Sequence, residues 1–173
     1  RIVAQVPGGT GNVQDIYPLA PLQEGILYHH VSADGHDPYV LQSRFVFETR
    51  GHLDNFVAAL NKVIARHDVL RTAIFWQGLP QPVQVVLRHA SLAVLPAQDA
   101  AGGPPPAFDL GQAPLMRLVV GSTGHDQQVQ ATLQFHHIVM DHTAMEVVAQ
   151  ELIAYLQGDD APDQAPVPYR NYV

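Results

Sequence analysis

The chain has 173 residues, 47% of them hydrophobic and only 14% charged, so it can bury a real core as one domain or as one lobe of a larger unit. Nine Lys plus Arg against sixteen Asp plus Glu give a formal net charge of -7, and the basic residues fall singly, which leaves no stripe to neutralise phosphates and argues against a nucleic-acid partner. The lack of cysteine excludes disulfides, thiolate nucleophiles and cysteine-ligated zinc; the short apolar runs exclude a membrane span, and the Arg1-Ile2-Val3-Ala4 start has no leader signature, so the cytosol is the expected location.

Residues 1–14, with Pro7-Gly8-Gly9-Thr10-Gly11-Asn12, read as an exposed lead-in or linker, with order beginning at Asp15-Ile16-Tyr17-Pro18. Pro21 to His30 reads as a short helix with Pro21 in its first turn and Leu22, Ile26 and Leu27 on one face. The polar, glycine-containing stretch 32–38 ends it before Tyr39 to Phe47, whose β-branched and aromatic content predicts a strand. Leu53, Phe56, Val57, Leu60, Val63 and Ile64 recur at spacings of three and four and predict an amphipathic helix to His67, entered through residues 52–54. Leu70 to Trp76 and Val83 to Leu87 read as a hairpin joined by Gln77-Gly78-Leu79-Pro80. Residues 96–107, with Pro104-Pro105-Pro106, read as an extended surface loop. Leu115 to Val120 predicts a buried strand, 121–126 a turn, and Gln128 to Phe135 its antiparallel neighbour. A helix over Thr143 to Leu156, with Met145, Val148, Leu152, Tyr155 and Leu156 on its core face and Gly158 as its stop, closes the pattern. This order predicts an α+β fold: a mixed, mostly antiparallel sheet flanked by helices.

The chemistry concentrates at His136-His137-Ile138-Val139-Met140-Asp141-His142, where the alternating strand ends and the last helix begins. Successive strand residues face opposite sides, so one histidine serves structure and the other a cleft. His136, His137, Asp141 and His142 are all possible metal ligands, but adjacent histidines at a strand end do not converge, and no metal is expected. Ser32, Ser43, Ser91 and Ser122 lack a Gly-x-Ser-x-Gly setting, and Glu24 and Glu146 are single, so neither a serine hydrolase nor a paired-carboxylate hydrolase is supported.

Three landmarks in order resemble the amino-terminal lobe of the condensation domains of nonribosomal peptide synthetases. Asp15-Ile-Tyr-Pro-Leu-Ala-Pro-Leu-Gln-Glu-Gly-Ile-Leu-Tyr28 is similar to the family's first core motif, Arg66-His-Asp-Val-Leu-Arg-Thr72 to its second, and His136-His-Ile-Val-Met-Asp141 to its His-His-x-x-x-Asp-Gly active-site motif. The resemblance implies a chloramphenicol acetyltransferase-like lobe over residues 15–165, the start of an interlobe crossing at 166–173, and a missing carboxy-terminal lobe. It further implies an enzyme that joins an upstream peptidyl thioester to a downstream aminoacyl thioester. Upstream and downstream carrier proteins would be its partners, their phosphopantetheine arms delivering the substrates, with no cofactor bound directly.

His142 stands where the motif's glycine usually follows the aspartate, and His29-His30-Val31-Ser-Ala-Asp-Gly-His36-Asp37 resembles the second histidine motif, His-His-[Ile/Leu]-x-x-x-x-Gly-Asp, of dual epimerisation/condensation domains, with His36 at the glycine position. Both features point to that subclass. An imidazole that titrates near neutrality suits the amine and the developing oxyanion. His137 is the expected working residue, His136 its structural neighbour, and Asp141 a loop anchor for which the resemblance implies a salt bridge to Arg71. For epimerisation His137 needs a second acid or base, and His142, His29 and His30 all stay open as its partner. The alternatives are an ordinary condensation domain without epimerisation, a noncatalytic carrier-docking fragment, and a small acyl-coenzyme A transferase, against which the first core motif argues.

Overall fold

The computed structural model describes residues 5–33, 37–97, 106–122, 127–160 and 165–173. Asp34-Gly35-His36 of the early motif, most of the loop expected over 96–107, and most of the turn over 121–126 lie outside them. The described elements run β1 (Val13–Pro18), α1 (Pro21–Ser32), β2 (Val40–Phe47), α2 (Arg50–Arg66), β3 (Thr72–Phe75), β4 (Val83–Leu87), β5 (Ala93–Pro96), β6 (Met116–Ser122), β7 (Val129–His136) and α3 (His142–Gln157). They form a three-stranded sheet in the order β1-β4-β3 and a four-stranded sheet in the order β2-β7-β6-β5. Every pairing is antiparallel except β5 with β6. Among the described residues no helix is long and apolar enough to cross a membrane.

Helix α2 behaves as its periodicity predicts, with one refinement at its start. Leu53, Leu60, Val63 and Ile64 are wholly buried against β6 and β7 residues such as Leu118, Ala131 and Leu133; burial of one such side chain is worth about 1.5–3 kcal/mol. The helix begins earlier than residues 52–54, because the Thr49 hydroxyl accepts from the His52 N–H and caps it. Helix α3 packs beside it through Val148, with Met145, Leu152 and Tyr155 partly covered, and stops where Gly158 takes a positive φ of 88° and its N–H returns to the Ala154 and Tyr155 carbonyls. Glu151, also buried, accepts from Arg66 Nε at 3.1 Å and lies 2.8 Å from His67 Nε2, so the second motif ties α2 to α3.

Four expectations need correction. The lead-in is partly structural, since Val6 is buried with Ala73, Phe75, Val85 and Leu87, and β1 begins at Val13 to pair with β4. Leu22 is exposed and Gln23 takes its place inside, because the Gln23 amide finds buried hydrogen bonds that an apolar reading cannot foresee. Leu156 is likewise exposed on α3. A short strand, β5, occupies residues just before the expected loop, pairing parallel with β6 at the sheet edge.

Candidate active site

Strand β7 ends at His136, and His137 opens the turn that follows. His136 is fully buried; its ring sits 5.4 Å from that of His30 and 6.2 Å from that of Phe108. His137 is half-buried on the other side of the chain, its N–H donating to the Tyr39 carbonyl at 2.9 Å and its ring edge-on to Tyr39 at 6.4 Å. Its Nδ1 is buried and has no hydrogen-bond partner, and only Tyr17 Oη and Arg71 Nε share that condition among the described residues. Buried polar atoms without a partner are few in folded proteins.

Behind the strand, Asp37 Oδ2 accepts from His30 Nδ1 at 2.5 Å and from His136 Nε2 at 2.9 Å, while Asp37 Oδ1 accepts from the Tyr39 N–H at 2.9 Å. Burial alone would raise the Asp37 pKa, but the His30, Tyr39 and His136 hydrogen bonds together hold it below the ordinary carboxylate value. For His136 burial wins: it holds the ring neutral with its pKa below the ordinary 6.5, although the bond to Asp37 pulls the other way. The tautomer is fixed as well, since His136 Nδ1 accepts from the Ile138 N–H at 3.1 Å and its one proton must therefore sit on Nε2, facing Asp37.

That proton decides how the cluster should be read. His30, Asp37 and His136 bring three metal-ligating atoms within 4.8 Å of one another. A His136 that uses Nδ1 to accept and Nε2 to donate has no lone pair left for an ion, so the three residues form a hydrogen-bonded triad.

The loop after His137 is held from the first core motif. Gln23 Nε2 donates to the Ile138 carbonyl at 3.0 Å and to Gln84 Oε1 at 3.1 Å, and Gln84 Nε2 returns a bond to Gln23 Oε1 at 2.7 Å and reaches the Pro18 carbonyl at 3.1 Å. Both amides are buried and paired, as buried polar groups must be.

The remaining expected residues fall farther from this centre. Asp141 caps α3, its Oδ1 accepting from the Ala144 N–H at 2.7 Å, and makes no ion pair with Arg71. Arg71 is buried and its Nη1 is spent on the Leu87 and Arg88 carbonyls and on Gln14, so the implied salt bridge gives way to helix capping at one end and carbonyl binding at the other. His142, first residue of α3, is exposed and lies 3.2 Å from Glu146. His29 is exposed, with its ring 6.0 Å from Tyr39; His30 turns inward onto Asp37 and stands edge-on to Trp76 at 6.3 Å. The structure thus joins His30 to His136 and brings His29 and His137 each near the Tyr39 ring. Residues missed from the sequence are Asp37 as the bridge and Gln23 with Gln84 as the clamp; a buried-glutamine signal inside the first motif was the available clue.

Chain-end residues return to the same lobe. The Tyr169 N–H donates to the Asp68 carboxylate at 3.0 Å, Arg170 Nη1 pairs with Asp15 Oδ2 at 2.7 Å, and the Tyr169 pKa is raised, first by burial and then by the charge of Asp141.

Comparison with known proteins agrees with this architecture. The chain is 43% identical over its whole length to malpinin synthetase of Mortierella alpina and 33% identical over 94% of its length to tyrocidine synthase 3 of Brevibacillus parabrevis, spanning only 2% and 3% of those proteins. Its fold matches the starter condensation domain of rhizomide synthetase with a TM-score of 0.65 and 22% identity, over 92% of this chain and 44% of that one. It also matches the condensation domain of the monacolin K polyketide synthase with a TM-score of 0.67 and 19% identity, over 88% of this chain and 37% of that one. The condensation-domain family model matches residues 13–173, from β1 to the chain end, and the chain belongs to that family.

Proposed function

We propose that this chain is the amino-terminal lobe, residues 15–165 with the start of the crossing at 166–173, of a cytosolic dual epimerisation/condensation domain in a nonribosomal peptide synthetase. The observation that carries the reading is His137: half-buried at a strand end, turned away from the His136 triad, with a buried nitrogen that nothing in the lobe satisfies. In condensation the downstream amine nitrogen attacks the thioester carbonyl, the carbon–sulfur bond breaks, and the upstream arm leaves as a thiol. His137 would position the neutral amine and take up its proton or support the oxyanion, both roles open to an imidazole. Phosphopantetheine arms of upstream and downstream carrier proteins would bring the two thioesters.

For epimerisation a proton leaves the donor α-carbon and returns to the opposite face, which needs a second acid–base group. Of the three candidates, His30 is committed to Asp37 and His142 lies beside Glu146, whereas His29 shares the Tyr39 ring with His137 and is the better placed. That commitment of His30 and His142 also favours a second reading, a condensation domain without epimerisation.

The test incubates a donor L-aminoacyl carrier protein and an acceptor aminoacyl carrier protein in heavy water with the complete two-lobed domain or its His137→Ala variant. Deuterium at the α-carbon and D-configured product, both lost in the variant, support the dual activity. Amide formation without uptake or inversion removes the epimerase half, and no amide formation by the unaltered domain removes the whole reading.

A further inference from the structure

The triad behind β7 has no part in the chemistry assigned to His137, yet it reaches the backbone on both sides of that residue. Asp37 Oδ1 accepts the Tyr39 N–H, and the Tyr39 carbonyl accepts the His137 N–H. Asp37 Oδ2 accepts the His136 Nε2–H, which leaves His136 Nδ1 to accept the Ile138 N–H. Two chains of hydrogen bonds therefore start at one carboxylate and end on consecutive amides, those of residues 137 and 138. The carboxylate is held by His30 from α1 and His136, whose rings in turn meet Trp76 and Phe108 respectively. The charged or titratable groups facing the cluster are His30, His137, whose charge bears on His136, and Arg117, whose guanidinium sits 4.3 Å from the Phe108 ring.

We propose that Asp37 is a positioning residue for the reaction at His137: it selects the Nε2-protonated tautomer of His136 and, through that ring and Tyr39, fixes the backbone from which His137 projects. His30 acts as the second donor that keeps the carboxylate in place, so the early histidine motif serves the core motif structurally. The proposal rests on His137 belonging to a condensing site and is independent of epimerisation.

Isosteric substitution tests it in the two-lobed domain. In Asp37→Asn the new amide hydrogens oppose the ring donors, so the kcat for amide formation is expected to fall about 10–100-fold with KM little changed, the loss typical of removing a partner that orients a functional histidine. Side-chain nitrogen NMR at neutral pH is expected to show His136 as the Nε2–H tautomer and to lose that state in the variant. His30→Asn, which keeps a donor for Asp37, is expected to retain more activity than His30→Ala.

An Nδ1–H tautomer in the unaltered protein, or a folded Asp37→Asn with unchanged kcat, overturns the proposal. If Asp37→Asn does not fold, equal rates for His30→Asn and His30→Ala overturn it instead. These readouts do not involve α-hydrogen exchange, so loss of the epimerase reading leaves them standing. A failure of the condensing reading shows separately, as an inactive unaltered domain.

Discussion

The two histidine pairs, His29-His30 on a helix and His136-His137 at a strand end, divide in the same way by different geometry. In each pair one ring goes inward to Asp37 and the other lies beside Tyr39. At the end of β7 the split falls at an element boundary: His136 closes the strand and His137 opens the turn after it. On α1 consecutive residues are only about 100° apart, so His30 turns in because Asp37, Trp76 and His136 offer it partners, while His29 stays at the surface. The pairs differ in what remains undone: the outward ring of the strand pair has a buried nitrogen without a partner among the described residues, and the proposed function gives that nitrogen its task.

The sharpest way to break this comparison is to remove each strand histidine in turn. His137→Ala is expected to lower amide formation about 100- to 10,000-fold, the range for a lost acid–base group, and to leave the thermal midpoint nearly unchanged. His136→Ala is expected to destabilise the fold by about 2–4 kcal/mol, since it opens a cavity and strips Asp37 of a buried donor. Denaturant titration beside turnover assays separates the two, and a stable His136→Ala with an unstable His137→Ala would invert the assignment. Gln23→Leu comes next: it takes the Gln23 donor from Gln84 Oε1 and from the Ile138 carbonyl, and a loss of about 1–3 kcal/mol in denaturant titration is expected.

Acid gives a subtler contrast. The folded-state pKa of His136 lies below 6.5, so the unfolded chain binds the extra proton first and stability falls as pH drops from 6.5 toward that lowered value. Asp37 is also depressed, below 3.8, and its contribution is present above that pH and lost as pH falls through its folded pKa. Thermal midpoints measured against pH should fall in that order, and the upper limb should vanish in His136→Gln. The smallest effect belongs to His142→Ala. It removes an exposed ring at the start of α3, and a stability change within about 0.5 kcal/mol is expected by the same titration.

Much of this was legible in the residues where a period was strong. The α2 stripe, the β3–β4 hairpin, the antiparallel β6–β7 pair and Gly158 all follow from spacing or turn chemistry. Elements with no stripe escaped. Strand β5 is exposed at all four positions, so its pairing with β6 leaves no alternation to read, and α1 buries a polar Gln23 where Leu22 was expected. At the site, the division of His136 from His137 follows from the end of the alternating run, but their environment does not. Asp37 is 99 residues from His136, and Gln23 is 115 from Ile138, so only the folded register brings them together. Asp141 illustrates the opposite case: a helix N-cap is a local bond that forms within three residues, and here it occupies the carboxylate assigned to Arg71.

The Gln23–Gln84 clamp carries a consequence for recovery from acid. Neither amide titrates, so this tether on the Ile138 carbonyl is indifferent to protons, while the tether at His136 runs through an ionised carboxylate and fails when that carboxylate is neutralised. The segment 136–138 is moored at one end by a neutral latch and at the other by an ionic one. Brief acid exposure should therefore release one mooring and keep the other. The segment then retains its place in the register as a template, and activity should return on neutralisation without a new search for the fold.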